Sequence, residues 1–307
     1  MSIYITDDAG KLYPLSGGTA TQGSNPNILI NGDFRVNQRG LSEYNPKTAW
    51  GNYTYTCDRW AIYGLVSSKF SVETKRLTGQ TWILQTIDDF KGLLGKTLTF
   101  SMKFNQLSND YINFTFRKIF TDGTKESIDK RFYPSTGSQT INHTFDLLVD
   151  NEKTISRLEL ILYQGANGDI EIDYIKLEFG KVATPNIPRP YAEELAMCQR
   201  YYQTINTVSS LLYARTDTQL RAMLNFKVKM RTKPTVTQQN VIRVYAPNEE
   251  TTFTQTNAGL GGGTAIHQEG AMLAILNFTG LTKTNIYQFD LNWSTEPIFT
   301  ADAEIYN

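Results

Sequence analysis

Along residues 96–104 the chain alternates strictly, with Leu98, Phe100, Met102 and Phe104 on one side and Thr97, Thr99, Ser101 and Lys103 on the other. A period of two is the repeat of a β-strand, whose successive side chains leave opposite faces; a helix would repeat every three to four positions. The pattern is that of a half-buried antiparallel strand. Residues 111–120 repeat it, with Ile112, Phe114 and Phe116 opposed to Asn113, Thr115 and Arg117. The Asp122-Gly123 pair that follows is a common hairpin signal. Further strands are expected at 70–73, 82–87, 140–147, 156–163 and 169–178. Strands at this spacing, separated by turns with no helix between them, predict a jelly-roll β-sandwich over residues 26–180. The 17 Tyr and 16 Phe suit it, because aromatic rings pack well on pleated surfaces.

The rest of the chain divides around this block. Residues 1–25 begin with a short strand-like stretch and run into a Ser/Gly/Thr segment of flexible-linker composition, an anchoring arm by this reading. Residues 181–206 hold Pro185, Pro188 and Pro190, a stiff connector, and then one expected helix over 191–205. Glu193 and Glu194 complement its N-terminal dipole, and Leu195, Cys198 and Tyr202 form an apolar stripe that should dock on the following sheet or on a neighbouring copy. The two-residue period returns over 220–230, with strands expected at 241–245, 271–278, 286–293 and 303–306 and a glycine-rich loop at 259–263. Residues 207–307 thus predict a second, smaller β-sandwich, and the whole chain is all-β with one short connecting helix.

Charge and chemistry exclude several function classes. Thirty basic residues balance thirty acidic ones without a basic tract, so the footprint of a nucleic-acid binder is missing. No apolar run approaches the about 20 residues that would insert in a membrane, and residues 1–8 have no signal-peptide pattern. Cys57 and Cys198 are expected as two ordinary buried thiols. With two cysteines and two histidines, His143 and His267, no transition-metal cluster can be assembled from local sequence. There is no Gly-x-Ser-x-Gly elbow, and Gly92 to Thr97 is too short for a phosphate loop and leads into a strand. The chain is expected not to be an enzyme and to need no cofactor.

What remains is surface binding. Trp50, Tyr53 and Tyr55 lie in a stretch dense in aromatics and amides, groups that stack on pyranose rings and take sugar hydroxyls. Tyr111, Asn113, Thr115 and Arg117 could line a shallow groove, whereas Trp60 and Trp82 are expected as core rings.

The stretch Asn27-Ile28-Leu29-Ile30-Asn31-Gly32-Asp33-Phe34 resembles the opening strand of the jelly-roll carbohydrate-binding modules attached to polysaccharide-degrading enzymes. Residues 94–101 and 170–177 resemble their central and closing strands. The resemblance implies a structural calcium held by acidic residues after the opening Phe and in the closing strand; here Arg35 follows Phe34, and only Asp173 matches. A second set of motifs resembles a module of tailed-bacteriophage fibre and virion-surface proteins. It comprises Val36-Asn37-Gln38-Arg39-Gly40, Tyr55-Thr56-Cys57-Asp58-Arg59-Trp60, Cys198-Gln199-Arg200-Tyr201-Tyr202 and Thr300-Ala301-Asp302-Ala303-Glu304. This resemblance implies a homotrimeric receptor-binding fibre on the virion surface, attached through residues 1–25 to a tail, baseplate or capsid protein and binding host surface polysaccharide. A passive structural or decoration protein of the capsid or tail is the alternative.

Overall fold

The computed structural model describes residues 4–6, 12–14, 23–46, 53–65, 68–150, 152–206, 211–247, 251–289 and 298–305. Near the start, Tyr4–Thr6 pairs antiparallel with Leu12–Pro14; the linker-like residues 16–22 lie outside the described residues.

Two six-stranded antiparallel sheets make the first sandwich. Sheet I runs, edge to edge, through Lys125–Phe132, Ile112–Phe120, Ile155–Gln164, Thr81–Ile87, Ala61–Gly64 and Thr54–Tyr55. Sheet II runs through Gly137–Leu147, Lys96–Gln106, Asp169–Phe179, Arg76–Thr78, Lys69–Ser71 and Glu43–Tyr44. The alternation of the sequence is realised between them: Leu98, Phe100, Met102 and Phe104 of sheet II meet Ile112, Phe114 and Phe116 of sheet I in one buried cluster with Phe34, Trp60 and Phe70. Phe100 and Phe114 lie 4.4 Å apart, centroid to centroid. The polar side of residues 96–104 is less exposed than alternation suggests, for Thr99 and Ser101 are buried beside Lys176 and Glu178. The connector after Gly180 lies over them, and the Lys176 ammonium donates to the Thr184 hydroxyl at 2.7 Å, the Thr184 carbonyl at 3.2 Å and the Pro185 carbonyl at 3.0 Å.

The expected opening strand is not a regular strand. Asn31 and Phe34 adopt positive φ (57° and 59°), and residues 27–32 lie along Asp169–Phe179 through mixed side-chain and backbone bonds. The Asn27 side chain donates to Ile175 O at 2.8 Å and accepts from Leu177 N at 3.0 Å, in place of ladder bonds. Gly32 is needed there, because a Cβ would fall 2.3 Å from the Ile175 carbonyl oxygen.

The helix is Tyr191–Gln199, and Tyr202–Ile205, expected as its last turn, is instead a strand. The helix buries Glu194, Cys198 and Gln199 within its own chain. Glu194 accepts from Asn31 N at 2.6 Å and from Arg189 at 3.1 Å, which ties the helix to the opening of the first sandwich. The stripe of Leu195, Cys198 and Tyr202 therefore offers no continuous docking face. Both thiols are free and buried, and burial pushes Cys57 up to about 12.

The second sandwich packs the three-stranded sheet III (Tyr202–Ile205, Phe299–Asp302, Thr235–Gln238) on the seven-stranded sheet IV. Sheet IV runs through Thr251–Thr254, Arg243–Ala246, Ile286–Phe289, Leu211–Ala214, Leu220–Asn225, Gly270–Ile275 and Ala265–Ile266. Its core includes Leu212, Leu224, Leu273, Tyr287 and Phe299. The alternating run of 220–230 is a strand only to Asn225, and the last strand is Phe299–Asp302, not 303–306. Trp293 lies outside the described residues.

The two sandwiches are joined by buried charge. Arg59 and Glu304 form a hydrogen-bonded ion pair from which solvent is excluded, and the Arg59 guanidinium stands 3.5 Å from the Tyr201 ring centroid. Arg39 stacks on Tyr202 at 3.9 Å and approaches Asp302 at 3.8 Å. Gln38 donates to the Tyr202 carbonyl at 2.8 Å, Tyr201 donates to Asp88 at 2.6 Å, and Ile305 N donates to the Tyr55 hydroxyl at 3.2 Å.

Asp58 lies in the same buried region, accepting from Gln38 N at 2.7 Å and Gln38 Nε2 at 2.8 Å. Burial pushes its carboxyl up to about 6, against the opposing pulls of Arg39 and the Gln38 donors. A raised carboxyl pKa means that the folded state holds the proton more tightly than the unfolded one. This contribution to stability is thus complete below about pH 4 and lost as pH rises through about 6, at most roughly 3 kcal/mol. The stability gap between Asp58→Asn and the parent, measured by urea unfolding, should therefore change by 1–3 kcal/mol, on the order given by that linkage, between pH 4 and pH 7. An unchanged gap would mean that Asp58 does not titrate there.

Candidate binding face on the first sandwich

The outward side of sheet I carries rings where a β-sandwich surface ordinarily carries polar groups. The register aligns Arg131, Asn113, Tyr163, Trp82 and Tyr63 in one row across five strands. Asp129, Thr115, Ile161, Leu84, Ala61 and Tyr55 form the next row, and Ser127, Arg117, Glu159 and Thr86 a third. Ala61, Leu84 and Ile161 form a small apolar cluster separate from the main core, with Tyr53, Tyr55, Tyr63 and Trp82 packed on it.

The rings form a ladder. Trp82 stacks on Tyr63 at 4.7 Å and on Tyr163 at 4.2 Å, with interplanar angles of 11° and 21°. Those spacings approach the about 4.8 Å between neighbouring strands, so the rings stand upright on the sheet, each covering the next. Tyr53 meets Tyr63 edge to face at 5.3 Å. At the other end Tyr111 meets Tyr163 at 5.7 Å and Tyr133 at 6.4 Å, and Arg131 lies 4.2 Å over the Tyr111 ring while donating to Asn113 Oδ1 at 2.8 Å. Tyr133 is 78% exposed.

The rings of this face carry no charge at neutral pH. Burial raises the Tyr53 and Tyr63 phenols, and the hydrogen bond to Tyr163 raises Tyr111, so all three stay protonated at neutral pH. Glu159 is 2% exposed and held between Arg117 at 3.6 Å and Arg157 at 3.1 Å. What this face offers a ligand is ring edges, phenol hydroxyls, one amide, the Arg131 guanidinium, and the Arg117 and Arg157 guanidinium groups that share the Glu159 carboxylate.

Of the residues nominated from sequence, Tyr53, Tyr111, Asn113 and Arg117 come together here. Tyr55 shares the face, but Arg39 lies 5.0 Å over its ring and its hydroxyl serves the junction. Trp50 lies outside the described residues. Trp60 is a core ring, whereas Trp82, expected as one, belongs to the ladder, because its place in Thr81–Ile87 turns it outward. Tyr63, Tyr163, Tyr133 and Arg131 escaped the sequence reading. Tyr163 and Trp82 end alternating runs and could have been assigned a face; their register could not.

The acidic residue that the resemblance nominates for calcium is Asp173. The Asp173 carboxylate is exposed and bound at 2.7 Å by the Lys103 ammonium, which already supplies its counter-charge. Among the described residues no group of three His, Cys, Asp or Glu is placed to hold a metal ion. His143 is half-buried 5.8 Å from Phe114 and 6.0 Å from Phe145, a packing role; His267 is exposed. Among the described residues no helix is long and apolar enough to cross a membrane. A groove of about 460 Å³ on sheet II, lined by Glu73, Lys75, Asn105, Ser138, Glu171 and Asp173, has volume but no aromatic side chain except Phe104.

No family model matches the sequence, and no curated protein does. Among solved structures, the enzymatically active domain of tailspike protein 4 from bacteriophage CBA120 is similar over 50% of this chain and 21% of its own, at 12% identity and a TM-score of 0.32. A family 16 carbohydrate-binding module is similar over 49% of this chain and 99% of its own, at 15% identity and a TM-score of 0.32. The xylan-binding domain CBM22-1 from Paenibacillus barcinonensis matches 52% of this chain and 98% of its own, at 12% identity and a TM-score of 0.32. At that level of likeness the face has to be judged on its own geometry.

Proposed function

We propose that this chain is a non-catalytic glycan-binding subunit of a bacteriophage fibre, displayed on the virion surface and acting in several linked copies, as the motif resemblance implies. The observation that carries the glycan reading is the uncharged aromatic ladder of sheet I with Asn113 and Arg131 at one end. Ring edges take the C–H patches of pyranoses, while phenols and the amide take hydroxyls. A long, flat row across five strands suits an extended polysaccharide better than a single sugar. Each contact is weak, and several tethered copies would raise avidity by roughly 10² or more.

Adsorption of the labelled full-length protein to a panel of bacterial strains tests this reading. Saturable binding to one strain is expected, displaced by that strain's purified surface polysaccharide. Tyr133→Ala and Arg131→Ala, both at exposed positions, should each weaken it by about tenfold, the order of a single hot-spot contact. Binding that both variants leave intact would move the site elsewhere. No binding to any strain would favour the passive decoration role, for which the mutually covered faces of Trp82 are the supporting observation.

A further inference from the structure

The first sandwich is open along one side. Lys125–Phe132 and Gly137–Leu147 are the edge strands of sheets I and II there, and behind them Phe116 and Phe145 meet at 5.0 Å. Between the two edges lies a cavity of about 180 Å³. Its apolar wall is made by Phe116 and Leu147, both buried, by half-buried Ile128 and by Leu148 at the mouth. One cation lines the same space. Lys118 pairs with Glu126 across the strands, one inward position beyond the Phe116 and Ile128 pair, and its ammonium donates to the Glu126 carboxylate at 2.8 Å. Lys118 is only 7% exposed, whereas the Glu126 side chain is 59% exposed. Asp146 also borders the cavity, but its carboxylate accepts from the Thr97 hydroxyl at 2.6 Å on the outer side of sheet II.

We propose that this cavity binds a small uncharged molecule, an apolar body the size of one ring that carries a single oxygen acceptor. The size follows from the volume, since apolar cavities of about 150 Å³ take up benzene. The absence of charge follows from the lining. Lys118 and Glu126 already neutralise each other, so a cationic head would meet the ammonium and an anionic one the carboxylate. The acceptor follows from the donors. An ammonium has three N–H groups, and among the described residues Glu126 is its one acceptor, so an oxygen in the cavity can take a second proton. A hydrogen bond from a buried cation is stronger than one between neutral groups. The long row of rings on sheet I suits a polymer, whereas a slot of this volume admits no polysaccharide chain. The inference goes beyond the glycan reading and does not rest on it.

The test is titration of the full chain with benzyl alcohol, toluene, benzylamine and benzoate, followed by ligand-observed nuclear magnetic resonance. Benzyl alcohol should saturate one site with a dissociation constant on the order of 1 mM. Benzylamine and benzoate should each bind at least about fivefold more weakly, the order of one unfavourable charge contact. Lys118→Met should weaken benzyl alcohol by about fivefold, the size of one net hydrogen bond, and leave toluene within about twofold. Ile128→Trp, which fills the cavity, should abolish binding of both at the parent's circular dichroism. Tyr133→Ala, on the sheet I ladder, should change neither, which separates this site from the proposed glycan face. No saturable binding of benzyl alcohol, equal binding of benzylamine or benzoate, or a Lys118→Met variant that weakens alcohol and toluene alike would overturn the site. Should Ile128→Trp fail to fold, the Lys118→Met comparison still decides.

Discussion

Glu304→Ala should be among the most damaging single substitutions in this chain, although Glu304 lies only three residues from its end. The substitution removes the carboxylate that balances Arg59, and both side chains are shielded from solvent. Breaking a buried ion pair from one side leaves an uncompensated charge and costs about 3–5 kcal/mol. For a protein of this size that is a fall in melting temperature on the order of 10 °C. The pair is also a buried polar link between the sandwiches, so calorimetry of the variant should resolve two transitions where the parent shows one. A single transition at the parent temperature would show that the junction does not couple the two halves. Glu304→Gln keeps the shape and one acceptor and should cost less.

Lys176→Ala should have an effect of similar size by a different route. The ammonium is buried, lies 3.2 Å from the Glu178 carboxylate, and organises the Thr184 and Pro185 carbonyls above sheet II. Without it, Glu178 is a buried anion with only Thr184 N at 2.8 Å and the Thr184 hydroxyl as donors, again a penalty of about 3–5 kcal/mol. The loss should be local as well as global. The connector should lift, and trypsin should cut after Lys181, which is exposed on that connector, faster than in the parent. Pairing the change with Glu178→Gln, as Lys176→Met/Glu178→Gln, removes the orphaned charge and should recover most of the stability in a double-mutant cycle. Equal proteolysis of parent and Lys176→Ala would contradict the role of Lys176 in holding the connector down.

These residues show where sequence reading succeeds and where it stops. The inward faces were legible because burial and alternation carry the same information: Leu98 to Phe104 and Ile112 to Phe116 point where their period puts them. Thr99 and Ser101, which alternation puts on the polar side, are nonetheless buried with Lys176 and Glu178, since a period of two assigns a face and says nothing of what later covers it. The helix was read too long because Tyr202 and Ile205 continue its apolar spacing, while their burial comes from sheet III. The motifs that suggested a virion protein, Asn37 to Arg39, Cys57 to Trp60, Tyr201-Tyr202 and Asp302 to Glu304, contribute most of the contacts of the junction. Their signature is that of a clamp between sandwiches, which explains why such distant segments carry it together. The binding face was half legible. Aromatic and amide residues could be nominated, but only the register showed that Tyr63, Trp82 and Tyr163 stand in one row.

A rigid clamp and a shallow face fit one physical picture. In the proposed fibre role, holding the sheet I face at a fixed angle would matter, because avidity is lost when linked sites cannot engage together. The buried ion pair gives that stiffness at a cost in desolvation which a purely stabilising design would avoid.

Binding of neutral polysaccharide by the sheet I ladder is tested most directly by an array of purified bacterial surface polysaccharides probed with the full-length protein. Saturable binding to a neutral polymer is predicted, unchanged between pH 5 and pH 9 because burial and hydrogen bonding keep the Tyr53, Tyr63 and Tyr111 phenols protonated. It should also be insensitive to salt and reduced by Tyr133→Ala. Binding confined to acidic polymers and abolished by salt, or a Tyr133→Ala variant that binds as the parent does, would contradict it.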